Sequence, residues 1–300
     1  PGGGTLGRSG GRTLGRSGRR AAKELKSRET GMSSEILERA TRHGDHPVTQ
    51  EGKQMIQRVA FITGGMGGIG TAVCRRLGEA GHKVVAGCLP GYDRRDDWLE
   101  AMRGEGFKAF AAEGNVEDYD SCADMFYRVC STVGPVDILV NAAGITRDGV
   151  FKRMSPNDWY AVINTNLNSV FNVTRQVIEG MVERSWGRII NVSSVNALKG
   201  QFGQTNYSAA KAGMHGFSKA LAQEVVKKGV TVNTISPGYV ETDMVRAIKP
   251  EVLKAIVDQI PMGRLAQPDE IAGLIAYLAS DEAAYITGAN ISINGGLHMN

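Results

Sequence analysis

The chain has 300 residues, 42% of them hydrophobic and 22% charged, enough apolar material for one large core in an ordinary globular protein. Its net charge of +4 is set by the front of the chain, where eight Arg and Lys stand against two Glu before Gly31; the remainder is slightly acidic and offers no broad cationic face for nucleic acid. No apolar run reaches the ~20 residues of a membrane helix, and Cys74, Cys88, Cys122 and Cys130 show no spacing for a metal or a disulfide framework, so reduced thiols, no metal and a cytoplasmic setting are expected.

Residues 1–55 carry almost no periodic apolar pattern, and Thr5-Leu6-Gly7-Arg8-Ser9-Gly10 recurs as Thr13-Leu14-Gly15-Arg16-Ser17-Gly18. Such a segment buries too little apolar surface to offset its chain entropy, so a disordered extension is expected, with Met32 or Met55 as a plausible natural start. Residues 56–300 read as one domain.

From Gln57 onward, continuously apolar runs alternate with longer amphipathic stretches. Strands are expected over 58–63, 83–87, 108–111, 136–141, 187–192, 230–235 and 290–293. Helices are expected over 70–80, 96–104, 119–133, 157–184, 207–228 and 268–279. Runs without polar alternation belong to strands covered on both faces, and the alternation with helices gives a doubly wound α/β fold of Rossmann type with a parallel sheet. Ligands in such folds bind beyond the carboxyl ends of the strands.

The first strand runs into Gly64-Gly65-Met66-Gly67-Gly68-Ile69-Gly70 and then a helix. Glycines allow a sharp turn and close approach of a pyrophosphate, and the helix amino terminus offers free N–H groups, so Gly64, Met66, Gly67, Gly68, Ile69 and Gly70 are candidate cofactor contacts. The second strand ends Val84-Val85-Ala86-Gly87-Cys88-Leu89 without the carboxylate that would take an NAD ribose hydroxyl. Arg94 and Arg95 follow and could pair with a 2′-phosphate, which favours NADPH, with Arg94 preferred; Asp96 and Asp97 could instead balance them.

The third strand leads to Gly114-Asn115-Val116, where Asn115 can hydrogen-bond a base edge. The fourth ends Asn141-Ala142-Ala143-Gly144, whose small side chains let the backbone pass close to a cofactor while Asn141 ties neighbouring strands. After the fifth strand come Ser193 and Ser194, then Tyr207 and Lys211, one turn apart on one face of a helix. An ammonium beside the phenol is expected to lower its pKa from near 10 and make Tyr207 a usable proton donor. Pro237-Gly238-Tyr239 follows the sixth strand and opens a lid expected to extend to about Pro261.

The spacing of Gly64, Gly68 and Gly70, with Ser194 thirteen residues before Tyr207 and Lys211 four beyond it, resembles the short-chain dehydrogenase/reductase family over nearly all of 57–300. The family pattern departs at Asn115, where an aspartate is common, and at Ala142, where a second asparagine is common. The resemblance selects Ser194 over Ser193 as the group that binds the substrate carbonyl oxygen, and Asn166 over Asn164 as the residue that holds a water linking Lys211 to solvent. It also implies that Lys211 binds the nicotinamide ribose.

The segment from Asn196 to Asn206 joins the serine to the tyrosine and must border the substrate. With Gln201, Phe202, Gln204 and Tyr239, the pocket is expected to be small, with amides for a second carbonyl. Gly144-Ile145-Thr146-Arg147-Asp148, Lys199 through Tyr207 and Asn294 through Met299 resemble the family's bacterial reductases of short β-ketoacyl-CoA. That resemblance adds Asp148 on the substrate side and implies NADPH reduction of acetoacetyl-CoA to (R)-3-hydroxybutyryl-CoA, for polyhydroxybutyrate synthesis, by a homotetramer. The nearest alternative is reduction of 3-oxoacyl groups on acyl-carrier protein in fatty-acid synthesis. A catalytically idle scaffold subunit would have no need of Asn166, Ser194, Tyr207 and Lys211 together.

Overall fold

The apolar runs become seven strands in a computed structural model that describes residues 56–299; the extension expected over 1–55 lies outside the described residues. The strands are β1 (Val59–Thr63), β2 (Lys83–Cys88), β3 (Ala109–Glu113), β4 (Ile138–Asn141), β5 (Gly187–Val192), β6 (Val230–Pro237) and β7 (Asn290–Ile293). They pair in the order β3-β2-β1-β4-β5-β6-β7, parallel throughout. The winding reverses between β1 and β4, which opens a crevice at the carboxyl ends of those two strands.

Alternate residues of each strand face opposite layers. Ala60 and Ile62 pack in one core with the helices α1 (Gly68–Glu79) and α10 (Pro268–Ala279). Val59 and Phe61 pack in the other, against α3 (Tyr119–Thr132) and α5 (Ser169–Glu183). Helix α2 (Arg95–Gly104) follows β2, and α7 (Thr205–Val225) carries Tyr207 and Lys211 along the β5–β6 side. Local chemistry starts the helices. Asp118 accepts from Ser121 N at 2.8 Å to cap α3, and Ser155 accepts from Asp158 N at 3.1 Å to cap α4 (Pro156–Ile163), with Pro156 in the first turn.

Several boundaries differ from expectation. The third strand starts one residue later and ends two residues later than its pattern indicates, and β6 runs on to Pro237, which then ends it because proline has no N–H for the ladder. The single helix expected over 157–184 is α4 and α5 separated by a π-turn at Asn164–Asn168. Polar side chains there bond back to the ladder's carbonyls: Thr165 Oγ1 donates to Ala161 O at 2.9 Å and Ser169 Oγ to Thr165 O at 2.6 Å. The segment after Tyr239 holds two short helices, α8 (Asp243–Arg246) and α9 (Pro250–Val257). A further short helix, α6 (Asn196–Lys199), lies just before α7.

Candidate active site

The glycine turn after β1 is shaped by backbone contact. Gly64 has φ +62°, and a Cβ on Gly70 would stand 2.2 Å from Gly64 O; no other residue fits either place. The turn leads into α1, whose N-cap Gly67 supplies no side-chain acceptor, so the first N–H groups of this helix remain for an anion. Met66 and Ile69 pack partly into the core beneath the turn. This cradle fits a dinucleotide pyrophosphate, and a Cβ would fill it.

On the other side of the crevice, Thr63 Oγ1 accepts from Ala142 N at 2.9 Å and Ala143 N at 3.0 Å, which holds the β4 turn against the glycine turn. Thr63 was not legible as a site residue, because its partners are backbone groups. Asn141 is occupied structurally: Nδ2 donates to Asn191 Oδ1 at 2.8 Å, tying β4 to β5. Asn115 Oδ1 accepts from Glu117 N at 3.1 Å, and Val116 O accepts from Asn172 Nδ2 at 3.0 Å. Beyond the carboxyl end of β2, Arg95 is engaged by Asp96 and Glu113, whereas Arg94 is exposed at the N-cap of α2. Gly238 lies against the Asn294 backbone, where a Cβ would come within 2.9 Å, and Pro237 O accepts from Val195 N at 2.8 Å.

Ser194, Tyr207 and Lys211 converge from β5 and α7. The Asn196 backbone N–H donates to Ser194 Oγ at 3.1 Å. Lys211 is 3% exposed, with Nζ donating to Val192 O at 2.9 Å and lying 5.7 Å from the Tyr207 ring centre. Two further residues fix the register of helix on strand. Ser193 Oγ donates to Lys211 O at 2.9 Å, and His215 Nε2 lies 2.9 Å from Ser193 Oγ. Ser193, the rival to Ser194 in the sequence, thus has a structural partner in the Lys211 backbone, and His215 was not expected to matter here.

The electrostatics correct one expectation. Tyr207 has its pKa raised, chiefly by burial, which the Ser194 hydroxyl partly opposes and to which the Asp148 charge adds a smaller upward push. Lys211 is itself so desolvated that its pKa falls to about 8. Its ammonium is turned to the Val192 carbonyl, so burial outweighs charge at the phenol.

Asn166 lies in the π-turn, fully buried. Its Nδ2 donates to Ile145 O at 2.8 Å and its Oδ1 accepts from Ile145 N at 2.8 Å. A Cβ on Gly144 would meet Asn166 Oδ1 at 2.8 Å and Lys211 Nζ at 3.4 Å, so a bare backbone passes between the two side chains.

The expected substrate side is assembled from two loops. Gly149 N donates to Gly203 O at 2.8 Å, and Gln204 Nε2 to Asp148 Oδ2 at 2.9 Å. The Asp148 charge also raises the Tyr239 phenol, after burial. Gln201 Oε1 accepts from Lys199 Nζ at 2.7 Å, and Phe202 stands 86% exposed at the rim.

The sequence pattern of the short chain dehydrogenases matches residues 58–253, and the chain belongs to that family, oxidoreductases that use a nicotinamide cofactor. Among its relatives is the acetoacetyl-CoA reductase of Cupriavidus necator, 62% identical over 245 residues, spanning 82% of this chain and 100% of that protein. The acetoacetyl-CoA reductase of Allochromatium vinosum is 59% identical over 81% of this chain and 99% of its own length. A 3-oxoacyl-[acyl-carrier-protein] reductase of Pseudomonas aeruginosa is more distant, 42% identical over 81% of the chain and 98% of its own length.

Proposed function

We propose that the folded unit of residues 56–300 reduces acetoacetyl-CoA to (R)-3-hydroxybutyryl-CoA with NADPH, a step that supplies polyhydroxybutyrate synthesis. The observation that carries this reading is the pairing of the two loops that lead from β4 and into Tyr207, where Gln204 Nε2 donates to Asp148 Oδ2 at 2.9 Å and Gly149 N to Gly203 O at 2.8 Å, which brings an amide and a carboxylate together. A β-keto thioester presents two carbonyls, and the site offers polar groups for both. The greater identity to acetoacetyl-CoA reductases than to the carrier-protein reductase supports the same choice.

Bound NADPH supplies the hydride for the carbonyl carbon. Ser194 and Tyr207 hold the ketone oxygen by hydrogen bonds and stabilise the charge that develops there. Tyr207 gives its proton to that oxygen, and its high pKa keeps the proton in place until the oxygen becomes basic. Lys211 orients the nicotinamide ribose, and Lys211 with Asn166 returns a proton to Tyr207 from solvent. Gly64, Met66, Gly67, Gly68, Ile69 and Gly70 hold the pyrophosphate, and Arg94 pairs with the 2′-phosphate because Arg95 is already engaged. Asn115, Val116, Ala142, Ala143, Gly144, Pro237 and Gly238 border the adenosine and nicotinamide. Gln201, Phe202, Gln204, Asp148 and Tyr239 border the acyl group. Homotetrameric assembly has support in exposed aromatics of α3 to α5, Tyr119, Tyr127, Tyr160 and Phe171. The four free thiols suit a reducing cytoplasm.

The test is acetoacetyl-CoA-dependent NADPH oxidation, with Tyr207→Phe expected to lower kcat by about 100-fold or more. Unchanged turnover in that variant sinks the mechanism. A higher kcat/KM for acetoacetyl-carrier protein than for acetoacetyl-CoA moves the enzyme to fatty-acid synthesis instead.

A further inference from the structure

Three side chains run in series behind the acyl site. Asn196 Nδ2 donates to Gln204 Oε1 at 2.9 Å, and Gln204 Nε2 donates to Asp148 Oδ2 at 2.9 Å. The direction of the series is set from its charged end. A carboxylate only accepts, so Gln204 must turn its amino group to Asp148; its carbonyl then faces Asn196, and Asn196 must donate.

This arrangement works against the fold. Asn196 is 7% exposed, and among the described residues its Oδ1 is buried without a partner; an unpaired buried acceptor is destabilising. A leucine would occupy similar space without that cost. Local rules broken inside a reaction site point to function rather than stability.

The position of the series indicates which function. It starts at the residue whose backbone N–H donates to Ser194 Oγ. It ends at a carboxylate whose charge reaches Tyr207 and Tyr239. A primary amide nitrogen carries two hydrogens. Gln204 Nε2 directs one at Asp148, and the other remains for a ligand because Asn196 keeps the carbonyl end turned away.

We infer that Asn196 is a positioning residue for substrate selection: by holding Gln204 Oε1 it fixes an N–H donor for the second carbonyl of a β-ketoacyl thioester. The inference rests on the acetoacetyl-CoA reading above, in which Gln204 borders the acyl group and Asn196 has no role. A donor locked in one orientation rewards a substrate that has the matching oxygen and gives nothing to one that lacks it.

The experiment compares kcat/KM for acetoacetyl-CoA with that for the thioether formed from CoA and methyl vinyl ketone, which keeps the ketone and replaces the thioester carbonyl by a methylene. In Asn196→Leu the ratio of the two falls about tenfold, the worth of one well-placed hydrogen bond, while Tm is kept or raised. Asn196→Asp turns the Gln204 amide over and lowers the ratio at least as far. Adding Asp148→Asn to it supplies a donor at the far end, so the double variant regains Tm but not the ratio. A ratio in folded Asn196→Leu equal to that of the wild type overturns the inference and leaves the acetoacetyl-CoA reading intact, and a double variant that regains the ratio also overturns it. A wild-type enzyme with no preference for acetoacetyl-CoA over the thioether overturns both.

Discussion

The proposed proton donor, Tyr207, has its pKa raised chiefly by burial rather than lowered by its lysine. The Asp148 charge pushes the phenol upward, so Asp148→Asn removes one source of that rise. In the proposed mechanism reduction needs the phenol protonated and declines as pH rises through its pKa; the variant should therefore lose activity at lower pH than the wild type. A kcat profile against pH in which the alkaline decline stays in place contradicts the assignment. The same variant should lower the Tyr239 pKa for the same reason.

Lys211 gives a second prediction at this scale. Its pKa falls from 10.5 to about 8 because folding removes its ammonium from water. The unfolded chain binds the proton more tightly, so stability rises with pH between about 8 and 10.5 as the folded lysine becomes neutral. At pH 7 the full cost of burial, about 3 kcal/mol, is present. Lys211→Met should be inactive yet more stable than the wild type at neutral pH, by up to that amount less the lost Val192 hydrogen bond. The gap should narrow as pH approaches 10, which urea unfolding at several pH values measures. Tyr207 and Lys211 were legible as a pair because helix geometry sets them one turn apart, and Ser194 only through the resemblance to the family's spacing. Ser193, His215 and Thr63 were not, since their partners are backbone carbonyls, N–H groups or distant hydroxyls that leave no pattern in the chain.

At the scale of elements, strands were the most legible feature, because a strand covered on both faces needs an apolar residue at every position. The break between α4 and α5 was not legible. Asn164-Thr165-Asn166-Leu167-Asn168 fits a helical period well enough to be read through, and what interrupts it is a loop distant in sequence. Asn166 is drawn to both backbone groups of Ile145, and a π-turn accommodates the shift in register. The turn therefore holds the β4 loop, with Gly144 at its centre, against Lys211. Asn166→Ala should leave the Ile145 N–H and carbonyl without partners and cost about 2 kcal/mol, with a fall in kcat from a displaced loop. Asn166→Asp keeps an acceptor for Ile145 N and should lose only part of that stability. Equal losses in the two variants would show that the clamp is not what the amide provides.

Over the whole molecule, the sheet divides into an end that reacts and an end that holds. Most candidate site residues lie at or just beyond the carboxyl end of a strand, where parallel winding opens the crevice, and Asn166 reaches the same loops from the π-turn. At the opposite end of β5, Arg188 is 3% exposed, and its guanidinium donates to Gly187 O at 2.9 Å, Ser280 O at 3.2 Å and Gly229 O at 3.3 Å. Its carboxylate partner Asp281, at 3.5 Å, is largely exposed, and burial lowers the Arg188 pKa, so the ion pair contributes little. The carbonyl contacts and the Trp186 ring, 4.4 Å away, justify the buried charge. Arg188→Met strips three backbone carbonyls of a donor and should cost about 2 to 4 kcal/mol. Ser194 is about 20 Å away along the strand, beyond the reach of a local repacking. kcat and KM at a temperature where the variant is folded should therefore match the wild type while Tm falls. A drop in kcat without a drop in Tm would mean that the two ends of the sheet are coupled, and the division drawn here would fail.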